Sequence, residues 1–226
     1  MEDYGNHQRI SSPGDGTEKK FRSRLAEAAD VARRTLESVQ ALAGTSYCKG
    51  VQIHALRRYA IETGCWLDDP SVLGDYVDRG SEHEVYSARD ADLVFKLNDF
   101  RYADDNLNAF FERIQAHNLY FPDCAYDLIG FALNHEGRVC AVLVQPFIHA
   151  EREATPQEIA DALMLSGFQP QLEGEYFSNG EYDIFDALPN NVLRGTDGHF
   201  YFIDTIIYPT GNEGYSTYRS LSPRFL

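Results

Sequence analysis

Apolar residues near the start of the chain recur at three- and four-residue steps. Phe21, Leu25, Ala29, Ala32, Leu36 and Val39 form one such stripe, which predicts an amphipathic helix beginning at Thr17. A second helix is expected over residues 51–63, with Ala55, Leu56, Tyr59 and Ala60 inward and Gly64 as its stop. Trp66 and Leu67 would pack this helix pair onto the rest of the chain. Residues 1–16 carry Gly5, Ser11, Ser12, Pro13, Gly14 and Gly16 and read as a disordered tail.

The pattern then turns to strands. Residues 73–77, 84–88 and 93–97 are short strand-like runs separated by turn residues, among them Arg79-Gly80 and Arg89-Asp90. Residues 106–117 return to helical spacing, with Leu107, Phe110, Phe111 and Ile114 apolar, and Pro122 closes the element. Residues 126–133 and 139–145 are strand-like runs around a turn at 134–137. Thr155-Pro156-Gln157-Glu158 is a capping box with proline at the first helical position, opening a helix that ends at Gly167. Residues 192–194 and 199–203 flank Gly195-Thr196-Asp197-Gly198, a hairpin signal.

This order predicts an α+β arrangement in two lobes: a five-stranded antiparallel sheet with one helix, then a helical segment with a small hairpin. The expected divisions are the tail 1–16, a helical segment 17–70, a sheet lobe 71–148 and a second lobe 149–226. Ligands favour the cleft between such lobes.

Composition narrows the function classes. At 43% hydrophobic and 24% charged residues, the 226-residue chain can build a core and is not wholly disordered. No stretch approaches the roughly 18 apolar residues of a membrane span, and residues 1–16 lack the apolar centre of a signal peptide. Cys48, Cys65, Cys124 and Cys140 lie far apart, which argues against a disulfide framework and for a reducing cytoplasm. The net charge of −15 is uneven: residues 1–64 hold 10 Lys+Arg against 8 Asp+Glu, and residues 65–226 hold 10 against 27. So acidic a segment repels phosphate backbones, which speaks against nucleic acid as its partner. Only the first segment, with Lys19, Lys20, Arg22, Arg24, Arg33 and Arg34, could touch a polyanion, and a solvated helix face is the favoured reading of it. Lys96 is the only lysine after Lys49.

The chemistry concentrates near the end. In Asp186-Ala187-Leu188-Pro189-Asn190-Asn191-Val192-Leu193, Asp186 is followed by proline three residues on and by asparagine five on, and Asp204 closes the next hairpin. A carboxylate in a cleft can orient and deprotonate an attacking hydroxyl. An amide oxygen and a second carboxylate brought close by a hairpin offer hard oxygen ligands for Mg²⁺. No histidine pair has metal-site spacing and no G-x-S-x-G is present, so His83, His117 and His199 read as packing or surface residues.

The Asp186–Asp204 stretch resembles the catalytic core of protein-kinase-like phosphotransferases. Of these, the chain resembles the compact kinase-like domains of polyvalent proteins from phages and mobile elements, through His117-Asn118, Phe121-Pro122 and Gln145-Pro146. The resemblance spans about residues 50–206 and implies a minimal kinase-like fold with a truncated helical lobe and an amino-terminal helical extension. It implies that Gly80 lies in a degraded glycine-rich loop, that Val85 covers adenine, and that Lys96 contacts the α- and β-phosphates. Glu112, the only glutamate between residues 85 and 135, would hold Lys96, with Asp104 and Asp105 as alternatives. Backbone groups of Gln145 and Phe147 would bond adenine, Leu193 would floor the pocket, Asp186 would act on the acceptor, and Asn191 with Asp204 would bind Mg²⁺.

There are departures. Phe185 stands where the family has arginine, Leu188 replaces a lysine, and Thr205-Ile206 replace Phe-Gly. Only 22 residues follow Asp204, too few for a large substrate-docking lobe. The implied function is ATP- and Mg²⁺-dependent phosphoryl transfer to a protein or small-molecule hydroxyl. The rival reading is an inactive pseudokinase that senses nucleotide or binds a partner.

Overall fold

The alanine-rich stripe of the first helix explains how closely it packs. In the computed structural model, which describes residues 15–43, 48–80, 83–88, 92–103 and 105–221, helix α1 spans Asp15–Ala43 and α2 spans Cys48–Glu62. Asp15 and Gly16 of the expected tail are therefore helical. The remainder of that tail, the Arg89-Asp90 turn, Ser81-Glu82 and Asp104 lie outside the described residues. Leu25, Ala28, Ala29 and Ala32 are buried, and the three alanines leave room for α1 to pack on α2 and α3 (Leu107–Tyr120).

Strands β1 (Trp66–Leu67), β2 (Asp75–Arg79), β3 (His83–Ala88), β4 (Leu93–Asn98), β5 (Asp127–Leu133) and β6 (Val139–Pro146) form one sheet in the order β1-β5-β6-β4-β3-β2. The expectation of five antiparallel strands is corrected to six. Trp66 and Leu67 pair with Phe131 and Ala132 as a short parallel strand. Gly130 permits this, because a Cβ there would sit 2.0 Å from the Cys65 carbonyl oxygen. Trp66 packs on the core that includes the helices, whereas Leu67, expected to do the same, packs on a separate cluster with Leu73, Tyr86 and Leu97.

Helix α3 is capped by Asn106, whose side chain accepts from the Asn108 N–H. Its Phe110 and Phe111 join Phe100, Leu107, Leu128 and Leu143 in the core beneath α1, each contributing about 1.5–3 kcal/mol by burial. From α2, the fully buried Gln52 donates to the Asp105 carbonyl (2.6 Å) and accepts from the Leu107 N–H (3.0 Å), gripping the entry to α3. Lys49 bonds the Ala103 carbonyl beside it (2.6 Å).

The carboxy-terminal part is richer in strands than the expected helical lobe. After β7 (Ala150–Glu153), α4 (Pro156–Leu165) opens on the capping box of Thr155 and Glu158. Short strands β8 (Gln169–Gln171), β9 (Tyr176–Ser178), β10 (Tyr182–Phe185) and β13 (Ile206–Pro209) form a four-stranded sheet, and β7, β11 (Val192–Gly195) and β12 (Phe200–Phe202) a three-stranded one. Helix α5 (Asn212–Leu221) stacks Tyr218 on Phe185, with ring centroids 4.7 Å apart. Among the described residues, no helix is long and apolar enough to cross a membrane.

Candidate active site

Two backbone devices bring the carboxylates together. Strand β10 pairs with β13 so that Phe185 lies opposite Ile206, which sets Asp186 beside the segment that carries Asp204. The Ile203 N–H donates to the Asn191 carbonyl at 2.9 Å, tying the Asn191 turn to the residue before Asp204. Asp186 itself has φ 56°. That left-handed conformation costs a non-glycine residue about 1–3 kcal/mol and is typical of residues held for a function. Its carbonyl accepts from the Leu188 N–H (2.9 Å) and from Asn191 Nδ2 (2.9 Å), while its Oδ2 accepts from the same Nδ2 (3.0 Å). Tyr218 Oη lies 3.5 Å from Asp186 Oδ1.

Lys96, on β4, is 7% exposed. Its ammonium donates to the Ile203 carbonyl (2.8 Å) and to Tyr126 Oη (3.0 Å), and lies 3.5 Å from Asp204 Oδ1. His83 faces the same carboxylate, with Nδ1 at 3.9 Å. Asn98 Oδ1 accepts from the Phe100 N–H, so the Asn98 amide nitrogen points at His83 Nε2 (3.1 Å) and leaves the ring proton on Nδ1, toward Asp204. Desolvation of Asp204 works to raise its pKa, but Lys96, then His83 and Arg113, outweigh it and hold the group down at about 2. Asp204 is thus ionised at neutral pH.

The other expected residues divide. Val85 is half-buried and is the cross-strand neighbour of Lys96, on the same face of the sheet. Leu193 is half-buried on β11, and Gly80 is exposed with its N–H donating to the His83 carbonyl (2.9 Å). Phe147 does not present the free backbone donor expected of it, because its N–H bonds the Asp92 carbonyl (2.8 Å). The Gln145 side chain is buried on the Cys124 carbonyl (2.6 Å). Glu112 is a correction: it is exposed, accepts from Asn108 Nδ2 (2.7 Å), and lies on the helix face opposite the core. Asp204 is the carboxylate within 4 Å of Lys96 among the described residues.

A family model described as a serine/threonine/tyrosine kinase found in polyvalent proteins matches residues 49–211. The chain belongs to this kinase family. No curated protein and no solved structure matches it.

Membership in a kinase family implies nucleotide and metal in general terms, and the donor set fits a hard divalent cation. Asn191 turns its amide nitrogen to Asp186 while its oxygen accepts from Asn190 Nδ2 (2.8 Å) and keeps a second lone pair, and Asp204 is 41% exposed at its side chain. One amide oxygen and one carboxylate suit Mg²⁺, which usually takes few protein ligands and completes its shell with water and phosphate.

Sequence reading missed Tyr126 and treated His83 as packing. Neither carries a local signal. Tyr126 lies 30 residues from Lys96 and 77 from Ile203, the groups it touches. His117 and Asn118, through which the sequence resembles the family, make specific contacts. His117 Nε2 bonds the Phe202 carbonyl (2.7 Å), and Asn118 pairs with the Tyr126 backbone.

Proposed function

We propose that the protein is an ATP- and Mg²⁺-dependent phosphotransferase acting on a protein or small-molecule hydroxyl. The observation that carries this is the pair of hydrogen bonds that Asn191 Nδ2 donates to the Asp186 carbonyl and carboxylate, with the Asn191 carbonyl tied to Ile203 beside Asp204. A proton acceptor and two metal donors thereby share one small site. Asp186 takes the proton of the attacking hydroxyl. Asn191 and Asp204 hold the metal, and Lys96 meets the phosphates. The bound Mg²⁺–nucleotide supplies the transferable phosphoryl group and screens its charge.

A second reading, a nucleotide-sensing or partner-binding pseudokinase, is favoured by two contacts. The Phe147 N–H is engaged by Asp92, and Lys96 is engaged by Ile203 and Asp204.

Paired measurement of Mg²⁺–ATP affinity and of phosphoryl transfer or ATP hydrolysis separates the two. Asn is well tolerated in left-handed backbone, so Asp186→Asn keeps the turn. It is expected to leave affinity within a few-fold while lowering turnover by about 10²–10⁴. Asp204→Asn is expected to weaken the Mg²⁺-dependent part of the affinity. Binding by the wild type without any transfer or hydrolysis would establish the binding-module reading, and no binding with any divalent metal would sink both.

A further inference from the structure

With Glu112 in solvent, no helix carboxylate among the described residues lies within 4 Å of Lys96. Besides the Ile203 carbonyl (2.8 Å), the side chain that bonds its ammonium is Tyr126 (3.0 Å). This ring is 3% exposed, and its Oη accepts from Lys96 (3.0 Å) while donating to the Ile203 carbonyl that Lys96 also bonds. Tyr126 is itself pinned from α3. Asn118 Oδ1 accepts from the Tyr126 N–H (2.7 Å) and Asn118 Nδ2 donates to the Tyr126 carbonyl (2.6 Å), a reciprocal pair that locks the backbone. The His117 ring packs on the Tyr126 ring at 4.8 Å. The ammonium also lies 5.2 Å from the centroid of the Tyr126 ring, within range of its π face.

We propose that Tyr126, fixed by Asn118 of α3, is the positioning residue for Lys96. The inference rests on the nucleotide reading above and specifies how that site is held. The chemistry differs from that of a carboxylate partner in a useful way. A neutral phenol orients the ammonium without cancelling its charge, so the full charge remains available to phosphate. Asp204 Oδ1 is met by Lys96 (3.5 Å), Tyr126 Oη (3.4 Å) and His83 (3.9 Å), and a divalent cation would compete with them for it. When the cation takes Asp204, Lys96 loses that contact and stays in register through Tyr126 and the Ile203 carbonyl. The link also couples α3 to the site, since Asn118 moves Tyr126 and Tyr126 carries Lys96.

The test uses the full chain with Tyr126→Phe, Lys96→Ala and the double variant. Phenylalanine keeps the ring, its burial and its packing on His117, and melting temperatures check that each variant folds. Tyr126→Phe is expected to weaken Mg²⁺–ATP binding about tenfold, the scale of one hydrogen bond to a charged group. In the Lys96→Ala background the same change is expected to do nothing further, because the interaction is already gone. Equal losses in both backgrounds would mean that Tyr126 acts on structure alone, and would overturn the proposal.

A second readout needs no nucleotide. Trace acetylation with acetic anhydride, mapped by mass spectrometry and normalised to Lys49, is expected to rise several-fold at Lys96 in Tyr126→Phe. An unchanged rate would overturn the hold on Lys96 directly. A raised rate in a chain that binds no nucleotide would overturn the function proposed above and leave the Tyr126 hold standing.

Discussion

The two sides of the site are built differently. Between residues 48 and 146, ten buried residues are polar or charged, among them Gln52, His83, Lys96, Asn98 and His117. After residue 150 there are three among the described residues, Asp183, Asn191 and Thr205. The amine side is therefore held by many side-chain bonds inside a core, braced by α1 and α2. The carboxylate side rests on backbone: the left-handed turn at Asp186, the β10–β13 pairing and the Ile203-to-Asn191 bond. Side-chain changes on the first side should cost stability, whereas on the second they should cost chemistry and leave the fold. The two sides are joined by apolar packing, with Phe121 stacked on Phe202 (4.3 Å) and Tyr120 against Phe168 and Tyr182, and by polar bonds from Lys96, Tyr126 and His117 to the carbonyls of Phe202 and Ile203.

The sharpest way to break this contrast is Gln52→Leu. It preserves bulk but strands the buried Leu107 N–H and removes the donor to the part-buried Asp105 carbonyl. A stranded buried group costs about 1–3 kcal/mol, so a loss of about 2–3 kcal/mol is expected in urea unfolding. A loss below about 1 kcal/mol would mean that the amine side does not depend on its buried polar bonds.

His117 tests the link. Burial outweighs its bond to the Phe202 carbonyl and pushes its pKa down to about 4 from the ordinary 6.5. Between those values the unfolded chain binds more protons than the folded one, so stability rises with pH there. It is fully present above about pH 6.5 and is lost as the pH falls toward 4. The full effect is about 3 kcal/mol. Unfolding midpoints measured from pH 7 to pH 4.5 should show this slope in the wild type and a shallower one in His117→Gln. Equal slopes would show that His117 takes up its proton without strain.

The smallest effect is expected at Glu112, whose contact is with Asn108 on the solvent face. Glu112→Gln should change stability by less than about 0.5 kcal/mol and leave nucleotide affinity untouched. A tenfold loss of affinity would restore it as the partner of Lys96 and remove the need for Tyr126.

Some of this was legible in the residues because it is local. The capping box at Thr155 and Glu158 forms as read, since both partners lie within one turn. The spacing of Leu107, Phe110, Phe111 and Ile114 marks the buried face of α3 because helix geometry repeats every 3.6 residues. The same period already set Glu112 on the opposite face, beside Asn108, so its choice as a partner followed the resemblance against the helix phase. Asp186, Pro189, Asn191 and Asp204 could be picked out together because a turn and one short hairpin span them.

The rest depended on folding in three dimensions. Strands of two to four residues, such as β1, β8 and β10, are too short to carry a readable alternation, and their pairing is decided by which neighbour can satisfy their backbone groups. The sequence determined by itself where the helices turn their apolar faces and which carboxylates could work together. Only the tertiary structure decided what holds Lys96. Its partners, Tyr126 and the Ile203 carbonyl, lie 30 and 107 residues away, and a buried charge bonds whatever polar group the packed core leaves within reach.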